Sequence, residues 1–538
     1  MDCANRLTVT HDEYWHLPVG LLNLKTGRFD YDNLNPPLVR MWAALPLLLT
    51  ARVPDPIDTG LDATGHGDAF LAANGENYHE LFAHGRWMIV VLSVATGVVL
   101  AVWAHELFGN AAAILTALFW SACPTVLMNA ALVTTDLGAA FFFAATLYTV
   151  WKHARRPSWK AALCIGLLLG MAQLAKYTSI VLFPLAALVW LLLRFGNNKV
   201  EARSLWQLVG HWVSAMLISV VVWNAGYLFQ GSFTRFGDYQ FDSKSLAKLS
   251  KHSLLSRLPV PLPDDYVKGL DRQRHIMESK HPVYLDGRWS TTGFSDYYLK
   301  ALWYKVPHAL QLLAMASLLF VLMPGREPRQ LRVQLSLLVP AVGLVAIAGQ
   351  SSMQLGIRYL LPMFPLLILF AGQAGRWLRW RRYPVRAALI VLLAIAASFS
   401  VRHHPHHLAY FNELAGGPAL GHTHLLDSNL DWGQDLRALK QYLDAQEITD
   451  VGLAYFGTVP PASLGIRYHV APSRIPKPGW HAVSVNFVQG RPHWLREPDG
   501  TIRPVDFDEF GYFRAFEPVA RIGYSIWVYH IPEYSDRR

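Results

Sequence analysis

Charge is what this sequence has least of. Asp, Glu, Lys and Arg make up 16% of its 538 residues, against about 25% in an average soluble domain. Hydrophobic residues make up 52% and the mean hydropathy is +0.21. That balance excludes a disordered chain and an ordinary soluble enzyme, and points to a protein whose main solvent is lipid. Cysteine is almost as scarce. Cys3, Cys123 and Cys164 are too few for a disulfide framework, and the last two lie in apolar stretches, where they read as small buried hydrophobes. There is neither a P-loop nor a dinucleotide fingerprint, and residues 402–538 hold no internal repeat and no low-complexity tract.

What is present is basic and apolar. The net charge of +10 suits a nucleic-acid binder or a membrane protein with basic cytoplasmic loops, and its distribution decides between them. Ten apolar stretches approach the roughly 20 residues that cross a bilayer: 87–108, 111–130, 135–152, 159–175, 178–195, 206–227, 307–323, 331–349, 358–374 and 384–401. A further stretch, 38–50, follows Pro36-Pro37 and is too short to span, so it is expected to lie in the interface or against the bundle. Cations cluster in three loops: Lys152, Arg155, Arg156 and Lys160; Arg326, Arg329 and Arg332; and Arg376, Arg379, Arg381, Arg382 and Arg386. The positive-inside rule makes these cytoplasmic. Alternation then places residues 1–86, the loop 228–306 and residues 402–538 on the outer face.

The expected organisation is an outer N-terminal loop with interfacial helices over 1–86, a transmembrane helical domain over 87–401, and a small outer α/β domain over 402–538. In the last, a helix is expected over 433–446 and strands over 451–456, 482–487 and 524–531. The first 86 residues reach the outer face with no span before them, so a preceding helix is expected upstream of this sequence.

Several clusters could carry chemistry. His11-Asp12-Glu13-Tyr14-Trp15-His16 places two carboxylates side by side. On a helix they diverge by about 100°, so one could act while the other orients, or both could belong to a solvated acidic helix start. Partial desolvation near a membrane surface is expected to raise the pKa of such a carboxylate. His11, Asp12, Glu13 and His16 could also hold a divalent metal, Asp12 and His16 being four residues apart. Asp136, in Thr134-Thr135-Asp136, either belongs to a helix cap or lines a cleft shared with Asp12. Lys176, Arg358 and Arg86 are isolated cations at outer helix ends. Each either snorkels or grips an anionic group such as a lipid phosphate. In the 228–306 loop, Tyr284, Tyr297 and Tyr298, with Lys305, are either belt residues or a surface on which a sugar stacks. Asp431 and Gln434 form a capping-box pattern that leaves Asp427, Asn429 and Trp432 unexplained. His403, His404, His406 and His407 read as an interfacial loop rather than a metal site.

Taken in order, these motifs resemble the polytopic GT-C glycosyltransferases that use lipid-phosphate sugars. Within them they are most similar to glycosyltransferase family 39, the protein O-mannosyltransferase-like group. Asp12-Glu13 resembles that group's acidic pair, and Asn35-Pro36-Pro37-Leu38 its His-Pro-Pro-Leu stretch with Asn in place of His. Thr134-Thr135-Asp136, Lys176-Tyr177 and Arg358-Tyr359-Leu360-Leu361-Pro362 fall where bacterial members have similar residues. The runs Tyr410–Pro418 and Asp427–Asp435 resemble a bacterial subgroup. The resemblance extends over about residues 10 to 530 and departs from that fold where its first transmembrane helix would precede the acidic pair. It implies an enzyme of the bacterial plasma membrane, with its catalytic face and C-terminal domain outside the cytoplasm. It implies transfer of a mannose-like sugar from a polyprenyl-phosphate donor to a hydroxyl of a protein, lipid or glycan, with Asp12 as base and cations stabilising the phosphate leaving group. The membrane and the lipid-linked donor are then the partners, nucleic acid is not, and a divalent metal stays open. A transporter or flippase for an anionic or lipid-linked substrate would also suit ten spans and charges at the membrane face, although no inverted repeat or pair of broken helices supports it. A membrane-anchored interaction protein working through 402–538 is a third reading.

Overall fold

A computed structural model describes residues 1–53, 60–194, 205–325, 327–379 and 383–533. Arg326, Arg381 and Arg382, and residue 195 at the end of the fifth apolar stretch, lie outside the described residues. Within them every one of the ten apolar stretches is helical. Among the described residues, five helices are long and apolar enough, by length and composition, to cross a membrane on their own: Ala63–Phe108, Tyr177–Arg194, Trp206–Ala225, Pro328–Gly349 and Ile357–Trp377. Two bent pairs bring the number to seven. Asn110–Ala122 and Pro124–Ala130 bend by 62°, and Tyr297–Lys305 and His308–Leu322 by 116°. Proline accounts for both breaks: Pro124 opens the second segment of one pair and Pro307 precedes the second segment of the other, where a missing N–H costs nothing. The ten expected spans therefore exceed those that qualify by length and composition. Trp159–Ala175 is a residue short, and Thr135–Arg155 carries polar residues at both ends.

Packing follows side-chain size. Thr135–Arg155 is the central helix, buried along most of its length. Its Gly138 lets Val39 approach so closely that a Cβ there would sit 2.3 Å from Val39 Cγ2. Gly166 and Gly170, four residues apart on Trp159–Ala175, do the same for Leu205–Ala225. A Cβ would meet Ala215 O at 2.6 Å and Ser219 O at 2.7 Å. Small residues in this spacing are how helices approach in lipid, where apolar surface alone does not drive association. The outer faces are correspondingly greasy. Val91, Val94, Val98 and Val102 form an exposed stripe on one helix, and Val209, Val213, Leu217 and Val221 form another. Such stripes are stable against hydrocarbon and not against water, so the chain is an integral membrane protein.

The stretch after Pro36-Pro37 forms a helix, Leu38–Ala44, and a 3-10 turn, Leu45–Leu48. The C-terminal region holds a five-stranded sheet in the order Tyr468–Val470, Val451–Ala454, Gly479–Ser484, Ile526–Ile531, Ala520–Ile522. The first three strands run parallel and the last two join antiparallel. Helix Leu436–Ala445 packs on it through Leu436, Leu439 and Leu443. The expected strand over 482–487 begins earlier, at Gly479, and ends at Ser484, where Val485–Val488 turns helical. Two short strands and the hairpin His493–Arg496 with Ile502–Val505 escaped the sequence pattern, because three or four residues are too few to show alternation. This region is tied to the chain's start: Thr8 N donates to Gln434 O at 2.9 Å and His11 N to Trp432 O at 3.0 Å.

Candidate active site

The two neighbouring carboxylates part company. Helix Glu13–Thr26 begins at Glu13, and one residue of rotation turns Glu13 into the bundle and Asp12 away from it. Glu13 is completely buried. It takes Arg86 in a fork, Nε to Oε1 at 2.8 Å and Nη2 to Oε2 at 2.7 Å, and also accepts from Val133 N, Thr10 N and Thr10 Oγ1. Arg86 gives its remaining N–H groups to the carbonyls of Ala4, Leu7 and Thr8. Neither side chain lines the cavity beside Asp12. This corrects two expectations: Arg86, with its donors committed inside the protein, has none to offer a phosphate, and Glu13 has no reach to a substrate.

Asp12 opens onto a cavity of about 360 Å³, within the range of roughly 300–1,000 Å³ typical of small-molecule sites. Four distant segments meet there. Asp12 Oδ2 accepts from Arg358 Nη1 at 2.7 Å, and Asp136 Oδ2 lies 3.7 Å from the same nitrogen. Lys176 Nζ donates to Asp136 Oδ1. Asp136 is buried at the start of the central helix, whereas Asp12, Lys176 and Arg358 keep part of their side chains exposed to the cavity. Trp432 supports the Arg358 guanidinium, 4.2 Å from its ring centroid, and Tyr359 lies under Lys176 at 4.8 Å, both within cation–π range. His16 faces the cavity as well, its Nδ1 held by Val133 O at 3.0 Å.

Burial works against the charge of Asp12, but the pull of Arg358, His11 and His16 outweighs it, and its pKa falls below the usual carboxylate value. The expected upward shift is thus reversed, since a fixed cation at hydrogen-bond distance overrides partial desolvation. Burial also lowers His11 and drives His493 far below the ordinary imidazole range. His11 Nδ1 pairs with Thr458 Oγ1 at 2.9 Å.

The loop residues expected to meet a sugar lie elsewhere. Tyr284 is buried in the hairpin Val283–Leu285 with Arg288–Ser290, against Trp289. Tyr297 and Tyr298 are buried at the start of Tyr297–Lys305, where Tyr297 Oη accepts from Asn429 Nδ2 at 3.1 Å. Lys305 Nζ donates to Leu408 O at 2.7 Å and Asn429 O at 2.6 Å. None of the four lines the cavity; Gln273, Ile276, His281 and Pro282 come from that loop instead. Aromatic content marks a loop as membrane-adjacent without saying which of its faces closes inward.

The Asp427–Asp435 run enters the site directly. Asn429 Oδ1 accepts from Ile357 N at 2.9 Å and so holds the turn that carries Arg358. Asp427 Oδ2 pairs with Arg491 Nη2 at 2.5 Å. The expected capping box does not form: Asp431 Oδ1 accepts from Gly433 N, Gln434 Oε1 accepts from Trp432 N, and the following helix starts only at Leu436. Asp427 and Trp432, left over by that reading, were the visible signal. Arg491, Phe456 and His493 also line the cavity, and nothing in their sequence surroundings marks them. His11, Asp12, Glu13 and His16 do not assemble into a three-ligand metal group among the described residues.

Residues 78–223, about a quarter of the chain, match the family described as dolichyl-phosphate-mannose-protein mannosyltransferase. The curated proteins give no match. Among solved structures, ArnT from Cupriavidus metallidurans bound to undecaprenyl phosphate aligns at 13% identity over 98% of this chain and 95% of its own, with a TM-score of 0.49. The apo form of that protein aligns at 14% identity over 98% and 94%, with a TM-score of 0.46. The Archaeoglobus fulgidus oligosaccharyltransferase in complex with Zn and sulfate aligns at 12% identity over 93% of this chain and 70% of its own, with a TM-score of 0.45. The family match is a similarity over that region alone, and it runs through the helices that carry Asp136 and lead to Lys176.

Proposed function

We propose that the protein transfers a mannose-like sugar from a polyprenyl-phosphate donor to an acceptor hydroxyl at the outer face of the membrane. One observation carries this reading: Asp12, Asp136, Lys176 and Arg358 come from four separate segments and meet around one cavity. The acceptor oxygen attacks the anomeric carbon, the bond from that carbon to the donor phosphate oxygen breaks, and polyprenyl phosphate leaves with the electron pair. Asp12 takes the acceptor proton. Lys176 and Arg358 stabilise the charge that builds on the departing phosphate, while Asp136 positions both cations from behind.

The lowered pKa of Asp12 fits this sequence of events. In the free enzyme Arg358 holds Asp12 ionised. A donor phosphate competes for the same guanidinium, loosens the pair and makes Asp12 a stronger base only once donor is present. The family match supports the sugar and donor class, and the ArnT neighbour was seen with undecaprenyl phosphate. The basic loops support a cytoplasmic position for the opposite membrane face. The test is purified protein in lipid nanodiscs with radiolabelled polyprenyl-phosphate mannose. Release of polyprenyl phosphate that Asp12→Asn abolishes supports the reading. Absence of release across a panel of polyprenyl-phosphate sugars, with folded protein and several acceptor hydroxyls, overturns it. Movement of intact donor between leaflets under the same conditions would favour a flippase.

A further inference from the structure

The chain's start and the segment after its last apolar helix converge on a second cluster. Cys3, on Asp2–Arg6, puts Sγ 3.5 Å from His404 Nδ1. His407 stands beside them, its ring centroid 5.6 Å from that of His404. One ligand atom from each of the three residues falls within 4.8 Å of the others. Cys3 and His407 are buried, and His407 is only 4% exposed, its Nδ1 without a hydrogen-bond partner among the described residues. On its far side His404 bonds through Nε2 to Asp2 Oδ2 at 2.6 Å.

We propose that Cys3, His404 and His407 bind a divalent zinc ion that fastens the N-terminal segment to the 403–407 loop. A tetrahedral zinc with Zn–S of about 2.3 Å and Zn–N of about 2.05 Å holds sulfur and nitrogen roughly 3.5 Å apart, which is the Cys3–His404 separation. A plain thiol–imidazole hydrogen bond would account for that pair alone and leaves His407 with a buried, orphaned polar atom, a costly arrangement. The carboxylate of Asp2 on the outer nitrogen of His404 is the usual second partner of a metal-bound imidazole, fixing its tautomer and orientation. A thiolate with two imidazoles is a donor set for zinc rather than for magnesium or calcium. The clamp would act on the residues that follow it: Ala4, Leu7 and Thr8 lend their carbonyls to Arg86, which holds Glu13 one residue from Asp12. Zinc here is structural and takes no part in sugar transfer.

The probe is Co2+ added to the full-length protein in detergent after chelation, followed by absorption spectroscopy, with Zn2+ displacing it. One equivalent should bind with a sulfur-to-metal charge-transfer band and the visible bands of a tetrahedral site. Cys3→Ser should remove the charge-transfer band, Cys164→Ser should leave it, and Asp2→Asn should weaken zinc affinity about 10–100-fold. Zn2+ should raise the thermal midpoint of the wild-type protein and not that of His407→Gln. A wild-type spectrum without a thiolate band overturns the proposal, as does a band that survives Cys3→Ser. Because the wild-type titration decides the matter first, misfolding of a variant does not shelter it.

Discussion

Asp12 and Glu13 are adjacent in sequence, both acidic, and each bound to an arginine, yet they do opposite things. Glu13 and Arg86 form a dry pair with every strong donor and acceptor matched. Asp12 and Arg358 form a pair with one shared contact, a buried Arg358 Nε left without a partner, and an open side. The first arrangement leaves nothing for a ligand to take; the second leaves much. What separates them is the number of groups already spoken for, since ion pairing as such is common to both.

That contrast is broken most forcefully at Glu13. Glu13→Gln leaves Arg86 charged and buried without its counter-ion, which costs about 3–5 kcal/mol. The expected result is a large drop in thermal midpoint or loss of folded protein, read by melting in detergent. Adding Arg86→Met should recover part of the loss, because removing both charges is cheaper than stranding one. A Glu13→Gln protein with wild-type stability and no activity would reverse the assignment of the two acids.

Asp12→Asn should do the converse. Folding and membrane insertion should persist while transfer falls about 10²–10⁴-fold, the usual cost of losing a general base. Near-full activity in this variant would remove Asp12 from the chemistry. Arg358→Lys sharpens the comparison further. An ammonium cannot reproduce the planar fork, so donor titration at fixed acceptor should show donor use weakened by roughly ten- to a hundred-fold, the equivalent of a charge-assisted hydrogen bond of about 1.5–3 kcal/mol. Lys176→Ala should behave alike, whereas mere anchoring at the interface predicts wild-type donor dependence for Arg358→Lys.

The smallest effect lies in the pH profile. Asp12 must be ionised to accept a proton, so activity falls as pH drops through its pKa. That pKa is depressed in the free enzyme, so the acid limb of kcat/KM should lie below the ordinary carboxylate range. The acid limb of kcat, which reports the donor-bound enzyme, should lie at higher pH. Coincident limbs would mean that the phosphate does not compete for Arg358.

Much of this was legible in the residues. Hydropathy marked where the apolar helices lie because lipid exposure demands long apolar runs, although five to seven of the described helices or bent pairs qualify as spans by length and composition, and Asp12, Asp136, Lys176 and Arg358 stood out as charges where charge is scarce. Adjacency could not say which acid turns inward, since that depends on Arg86 arriving from a helix more than seventy residues away. Tyr284, Tyr297, Tyr298 and Lys305 misled because composition says nothing about which face of a loop closes over a cavity. Arg491, His493 and Phe456 were invisible because a sheet of short strands brings them to the site, and no local pattern records that. The Gly166–Gly170 spacing stands in the sequence, but only the approach of Ala215 and Ser219 gives it meaning.

The helix Tyr78–Phe108 has one more consequence. From Trp87 to Phe108 it runs 22 residues, about 33 Å at 1.5 Å per residue, close to the roughly 30 Å hydrocarbon thickness of a bilayer. With the hydrocarbon taken to begin after Arg86, the turns from Tyr78 to Arg86 would stand clear of it like a post. On the proposed reading the helix would act as a ruler, holding the Arg86 clamp, and Asp12 with it, level with the layer where lipid phosphates reside. An acceptor would then have to come down to that plane to react, so a hydroxyl on a flexible tail or a surface-hugging chain would reach it, while one recessed in a bulky folded body would be kept out by height alone.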